Sequence, residues 1–341
     1  MPQQAIGLDI GGANLKAATV SGLAVTRRFE LWKRPDRLSD ELQVLAKELG
    51  PAEQVAVTMT GELCDCFATK RDGVRHILAS VDRVFGAELA RVWGTRGRFL
   101  SLDAAIADHL AVASANWHAL ATFAGRFAPQ GFGLLVDVGS TTTDIIPLRD
   151  GLPQPVGRTD PERLVSGELV YTAVRRTPVC TVAGPDVAAE WFATTHDVYV
   201  RLGMLPEEPE TRDTADGRPM TIPNAHARLS RMLGGDPEIT PQAETDALAH
   251  TVFERQKDKI VRAIERIVNR HRGPPRIVIV SGSGEFLARA AAEAIAGNSE
   301  NRIGPGMEHM RFVSLAERLT PAVSGAACAF AVAVLATEVP N

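Results

Sequence analysis

Twice in this chain a short apolar strand ends on an aspartate, turns within a few residues, and runs straight into a second strand. The first copy is Ala5-Ile6-Gly7-Leu8-Asp9-Ile10-Gly11-Gly12-Ala13-Asn14-Leu15-Lys16. The second is Gly133-Leu134-Leu135-Val136-Asp137-Val138-Gly139-Ser140-Thr141-Thr142-Thr143-Asp144. A hairpin of this composition is suited to phosphate. Glycine lets the backbone turn through positive φ and approach a ligand closely, while turn amides and hydroxyls donate to phosphoryl oxygens. Gly11, Gly12, Asn14 and Lys16 in the first loop and Gly139, Ser140, Thr141 and Thr142 in the second are therefore the expected phosphate contacts. Lys16 either neutralises a phosphate or is a solvated edge lysine. A carboxylate does not bind phosphate directly, so Asp9 and Asp137 are expected to hold Mg²⁺ or its water shell. One Asp-x-Gly turn alone is often only a hairpin turn. Its recurrence at the head of each half of the chain is what constrains the fold.

A third element fits the same plan. Ile277-Val278-Ile279-Val280 reads as a buried strand that runs through Ser281 into Gly282-Ser283-Gly284-Glu285 and then a helix over Leu287 to Ala296, a second place where backbone can meet a ligand. Residues 1–128 read as three short strands, a helix over Asp40 to Leu49, the strand Gln54 to Met59, a helix from about Val74, the strand Ala90 to Trp93 and one long helix from Ala104 to about Phe123. Phe127-Ala128-Pro129-Gln130-Gly131 is the hinge candidate, which divides the chain into domains 1–128 and 129–341. The second half carries a long helix over about Glu244 to Asn269 with a buried stripe, and ends in an Ala-rich helix, Val323 to Leu335, expected to be sandwiched between domains. The acidic, Pro-containing stretch Leu205 to Gly217 reads on composition as a solvated loop.

The order of the two phosphate loops and the Gly-Ser-Gly turn resembles the sugar kinase, Hsp70 and actin (ASKHA) superfamily. That resemblance implies an α/β fold of two ribonuclease H-like, actin-like ATPase domains around a central cleft. The stretches Ile6 to Lys16, Val57 to Phe67, Ala115-Asn116-Trp117, Leu135 to Pro147, Ala189 to Thr195 and Thr214 to Gly217 narrow it further. They resemble the hydantoinase/oxoprolinase-like proteins of tetrahydromethanopterin-linked one-carbon metabolism. Archaeal members of that group are similar to the enzyme that joins an aminomethylfuran-methyl diphosphate to the phenol of γ-glutamyltyramine in methanofuran synthesis. The resemblance also suggests that the 205–221 region acts as an active-site lid, against the solvated loop that composition favours.

Bulk numbers bound the alternatives. With 341 residues the chain can bury two cores. Lys+Arg 37 against Asp+Glu 41 leaves a net charge of -4, which provides no basic field for nucleic acid. No apolar run is long enough to cross a bilayer, and the N-terminus enters its first strand without an export signal, so a cytoplasmic location is expected. Four cysteines, Cys64, Cys66, Cys180 and Cys328, suit a reducing compartment. Cys64 and Cys66 lack a second pair at zinc-ligand spacing. Self-association is left open.

Three carboxylates stand where a general base could act. Glu62 and Asp65 follow the strand Gln54 to Met59, and Asp103 follows Leu100-Ser101-Leu102, where Asp is also a common N-cap. Glu62 touches substrate or is simply solvated. His196 reads as structural. The chemistry implied by the resemblance is transfer of a furan-methyl group from its diphosphate to a phenolic acceptor, with Mg²⁺ and without ATP. The Gly282–Glu285 turn would then be vacant or would frame the furan or phenol acceptor. An ATP-dependent small-molecule kinase or hydantoinase-like ATPase is the alternative, with that turn holding adenosine, and a nucleotide-gated scaffold is the third.

Overall fold

The computed structural model describes residues 4–271, 273–297 and 310–338. Two six-stranded sheets organise the chain. The first contains β1 (Ala5–Ile10), β2 (Asn14–Thr19), β3 (Ala24–Arg28), β4 (Gln54–Met59), β5 (Ala90–Gly94) and β6 (Arg98–Leu100) in the order β3-β2-β1-β4-β5-β6. The second contains β7 (Phe132–Val138), β8 (Thr143–Arg149), β9 (Leu152–Pro153), β10 (Leu169–Val170), β11 (Ile277–Ser281) and β12 (Arg311–Ser314), ordered β10-β8-β7-β11-β12 with β9 beside β8. The repeated hairpin of the sequence is thus β1-β2 in one sheet and β7-β8 in the other. In the first sheet β1 pairs antiparallel with β2 and parallel with β4, so β1 and β4 end on the same edge.

Period-two patterning gives this sheet two different faces. Ile6, Leu8, Ile10, Val55, Val57 and Met59 join one core with the helices Leu38–Leu49 and Lys70–Phe85. On the opposite face small residues lie in register, Gly7 beside Ala18 and Ala56. That leaves room for the helix Ala327–Glu338: a Cβ on Gly7 would stand 1.9 Å from the Ala329 carbonyl oxygen. A helix apolar on every face can be accommodated there because Ala18 and Ala329 form one buried cluster, while Ala56, Val332 and Leu335 form another with Trp93.

Three expectations need correction. The single helix expected from Ala104 to Phe123 is three: Leu102–Ala107, His109–Val112 and Asn116–Ala124. Asp108 leaves helical geometry (φ -107°, ψ 56°), and Ser114 takes φ 49°, in the left-handed region that side chains disfavour. Apolar periodicity runs across both breaks, so it hid them. The C-terminal helix is likewise interrupted at Ala326, between Pro321–Gly325 and Ala327–Glu338. Finally, the chain does not divide at residue 128. One compact unit holds the chain up to Leu135, Ile146–Val165 and the chain from Val313; the other holds Val136–Ile145 and Ser166–Phe312. The expected hinge is tied down inside the first unit: Gly131 N–H donates to Asp150 Oδ1 (2.7 Å), and Asp150 N–H returns to the Gly131 carbonyl (3.0 Å).

Candidate functional site at the ends of β1 and β4

Asp9 lies next to last in β1, opposite Lys16 of β2 and Thr58 of β4, so the three side chains share one face. Asp9 is 7% exposed and Thr58 fully buried, yet Asp9 Oδ1 and Thr58 Oγ1 have no hydrogen-bond partner among the described residues. Burial pushes the Asp9 carboxyl up from its ordinary range, with Lys16 pulling it back. A buried oxygen left open on a carboxylate is costly unless something is meant to meet it. Both atoms are hard oxygen donors, so this pair fits Mg²⁺, which takes one or two carboxylates and keeps waters or phosphate oxygens in its other positions. Among the described residues no group of three or more His, Cys, Asp or Glu could form an all-protein cage. Any cation here would need those additional oxygens.

The turn after β4 presses on the first loop. Thr60 N–H donates to the Ile10 carbonyl at 3.0 Å, and a Cβ on Gly61 would lie 3.1 Å from that oxygen and 3.2 Å from the carbonyl carbon of Gly11. Gly12 faces Cys64, whose Sγ would be 2.7 Å from an added Cβ. Gly61–Leu63 forms a single 3₁₀ turn that turns Glu62 inward, 1% exposed, while Asp65 is exposed. The helix Lys70–Phe85 closes over that turn at Gly73, where a Cβ would come 2.4 Å from the Glu62 carbonyl oxygen.

Of the three candidate carboxylates Glu62 is the buried one. Its Oε1 accepts from Ser114 Oγ at 2.8 Å, and its Oε2 is buried with no partner. Desolvation raises its pKa to about 7, opposed by the Ser114 hydrogen bond and the charge of Lys70. Ser114 Oγ also meets Asp160 Oδ2 at 3.0 Å, and Lys70 Nζ donates to the same oxygen at 2.7 Å. Ser114, Asp160 and Lys70 escaped the sequence reading. The signal that could have found Ser114 is its position just before Ala115-Asn116-Trp117, in a stretch read as helix interior. Asp103 stands exposed in the first turn of Leu102–Ala107, where Ser101, not Asp103, is the N-cap: its Oγ accepts from Ala104 N–H at 3.3 Å.

In the second loop Gly139 N–H closes the turn on the Thr142 carbonyl at 3.0 Å. Neither Gly139, Gly11 nor Gly12 has positive φ, which corrects the expected turn geometry. An added Cβ would meet Asn14 O at 2.9 Å at Gly11 but only an ordinary 3.5 Å contact at Gly139. The left-handed glycine is Gly282 (φ +91°), where a Cβ would meet the Val138 carbonyl at 2.3 Å and Asp137 Oδ1 at 2.7 Å. Gly284 N–H donates to that carbonyl at 2.9 Å. The Gly282-Ser283-Gly284 turn is therefore seated on the strand end that leads into Gly139. Glu285 opens the helix Glu285–Gly297, half-buried like Asp137, Ser140 and Thr142, while Thr141 is exposed.

The acidic stretch is anchored. Arg175 grips Glu208 through Nη2–Oε1 (2.6 Å) and Nη1–Oε2 (3.0 Å), and its hydrogen bond holds the Glu208 carboxyl below its ordinary range. Its backbone N–H meanwhile donates to the Ser140 carbonyl at 3.2 Å. Asp216 receives Arg228 Nη1 at 2.9 Å, and the same fully buried arginine donates to Asp197 at 2.6 Å. His196 is buried against Arg175, its pKa lowered to about 4 chiefly by burial, then by Arg175. It is neutral at pH 7.

The profile of the hydantoinase/oxoprolinase family matches residues 53–309. The chain belongs to that family. A Methanocaldococcus jannaschii protein named (4-{4-[2-(gamma-L-glutamylamino)ethyl]phenoxymethyl}furan-2-yl)methanamine synthase is 33% identical over 299 residues, covering 84% of this chain and 88% of its own length. A synthase of the same name from Methanococcus vannielii is 33% identical over 199 residues, 56% of this chain and 87% of its own. Among solved structures, a putative N-acetylmannosamine kinase from Listeria monocytogenes superposes with a TM-score of 0.51 at 13% identity, covering 98% of this chain and 99% of its own. That likeness supports the expected two-domain kinase-like α/β fold.

Proposed function

We propose that this family member forms an aryl furfuryl ether: it transfers a furan-methyl group from its diphosphate to the phenol oxygen of a tyramine or tyrosine derivative and releases pyrophosphate. The relatives' names make it an enzyme, and the phenoxymethyl-furan unit in those names is the product of such a step. One observation of the geometry carries the reading. Two buried carboxylates, Asp9 and Glu62, lie at the adjacent ends of β1 and β4, each with one oxygen that none of the described residues satisfies. One suits a cation on phosphate; the other suits a proton.

In this reading the bond between the furfuryl CH₂ and the diphosphate oxygen breaks as the bond from phenol oxygen to that CH₂ forms. Asp9 would hold Mg²⁺, which supplies charge neutralisation for the departing diphosphate when bound; Asp137 offers the same chemistry at its own loop. Gly11, Gly12, Asn14 and Lys16 would stabilise that charge, and Ser140, Thr141 and Thr142 of the second loop offer donors of the same kind. The phenolic proton passes to Glu62 Oε2, whose pKa of about 7 lies where a base works best near neutral pH. Asp65 and Asp103 are both exposed, which does not suit a water-excluded step. Mixing the purified protein with aminomethylfuran-methyl diphosphate, a tyramine-containing acceptor and Mg²⁺, without ATP, and following ether and pyrophosphate by mass spectrometry tests the reading. Phosphorylation of an acceptor that requires ATP, with no ether, would establish the kinase instead.

A further inference from the structure

We infer that Ser114 is a positioning residue that turns its single hydroxyl proton between Asp160 and Glu62, so that the Lys70–Asp160 pair sets the readiness of Glu62 to take a proton. The inference rests on the proposed role of Glu62 as the base.

Proton counting leads to it. Ser114 Oγ lies 2.8 Å from Glu62 Oε1 and 3.0 Å from Asp160 Oδ2, and it carries one proton. Two ionised carboxylates cannot both accept it; the second contact is a hydrogen bond only if that carboxyl brings its own proton. Asp160 already accepts from Lys70 at 2.7 Å and is the ionised member. In the resting acid, protonated on Oε1, that O–H donates to Ser114 Oγ and Ser114 donates to Asp160. With Glu62 ionised, Ser114 turns and donates to Glu62 Oε1. Both states keep Ser114 Oγ, Glu62 Oε1 and Asp160 Oδ2 partnered, and Glu62 Oε2, without a partner among the described residues, is the oxygen open to the phenolic proton once Glu62 is ionised.

The backbone argues for a dedicated role. Ser114 is held at φ 49°, a conformation that side chains other than Asn and Asp seldom adopt, between two helices that would otherwise be continuous. The charged groups acting on Glu62 are Lys70, from the helix that closes over it at Gly73, and Asp160, from the helix Asp160–Ser166. Their effects oppose: the Ser114 hydrogen bond and Lys70 lower the pKa of about 7, and Asp160 raises it.

Opposite shifts are the test. The Glu62 carboxyl is titrated directly, by ¹³C NMR of Glu-labelled protein assigned with Glu62→Gln, so the readout does not depend on ether formation. Ser114→Gly removes the hydroxyl while suiting the left-handed backbone, and Lys70→Met removes the cation; both should move the Glu62 midpoint up. Asp160→Asn should move it down. The acidic limb of kcat/KM for ether synthesis should follow in the same directions. Shifts of one sign in all three variants, or no shift in Ser114→Gly with the fold intact by circular dichroism, would overturn the relay. Correct shifts in the titration with no ether from any variant or the wild type would leave the relay standing and reject the synthase reading.

Discussion

Glu62 is a carboxyl whose environment charges for ionisation, and that has a stability consequence as well as a catalytic one. Its pKa is raised from 4.5 to about 7 by burial, so the folded state holds its proton more tightly than the unfolded chain does. The associated stability is full below pH 4.5 and is lost as pH climbs to about 7, a swing of roughly 3 kcal/mol. Glu62→Gln should abolish that swing: denaturant midpoints at pH 5 and pH 8 should converge, the variant gaining on wild type only at the higher pH. Ether formation should meanwhile fall by about 10² to 10⁴ in kcat with little change in KM, as expected for loss of a base. The same logic at Asp9 gives another outcome. Asp9→Asn removes the open carboxylate oxygen, and Mg²⁺-dependent turnover should disappear while thermal stability holds or rises, because a desolvated charge is gone. Retained turnover with normal Mg²⁺ dependence would remove Asp9 from the metal site.

At the scale of elements, what was legible in the sequence was whatever repeats along the chain. The paired strand-turn-strand hairpins, the strand entering Gly282 and the long helix, expected over Glu244 to Asn269 and found as Gln242–Arg270, all announce themselves through local patterns. Ser114 did not, because a left-handed residue inside an alanine-rich stretch breaks a helix without interrupting its apolar periodicity. Asp160 did not either, since it lies 46 residues from Ser114 and only tertiary packing brings the two together. The acidic stretch looked solvated for a related reason: composition shows Glu and Asp but not their partners Arg175 and Arg228. Arg228 offers an element-level prediction. Replacing it with alanine strands the buried Asp197, whose carboxyl burial already pushes up, and releases Asp216; the loss should be about 3–5 kcal/mol. Asp216→Ala, which leaves Arg228 paired to Asp197, should cost clearly less, and chemical denaturation of the two variants compares them. Gly7→Ala, which would drive the C-terminal helix off β1, should cost about 1–3 kcal/mol by the same measurement.

For the whole molecule the decision is between nucleotide and diphosphate. The kinase-like fold does not settle it, since a fold of this kind serves many chemistries and the site has to be argued from its own residues. A glycine loop that follows a strand-end aspartate would, in the proposed reading, take the phosphates of a diphosphate as readily as those of a nucleotide tail. The difference lies in the Gly282-Ser283-Gly284 turn, which would hold adenosine in a nucleotide user and would be vacant or frame the furan or phenol acceptor in a furan-methyl transferase. Isothermal titration in the presence of Mg²⁺ should therefore show pyrophosphate binding, and ATP binding no tighter than pyrophosphate. Ser283→Phe, at the exposed position of the turn, should leave the ratio of the two affinities unchanged. A loss of ATP binding alone in that variant, with pyrophosphate untouched and ATP the tighter ligand in wild type, would mean that the turn holds adenosine. The chain would then use ATP, and the diphosphate would be only a fragment of its ligand.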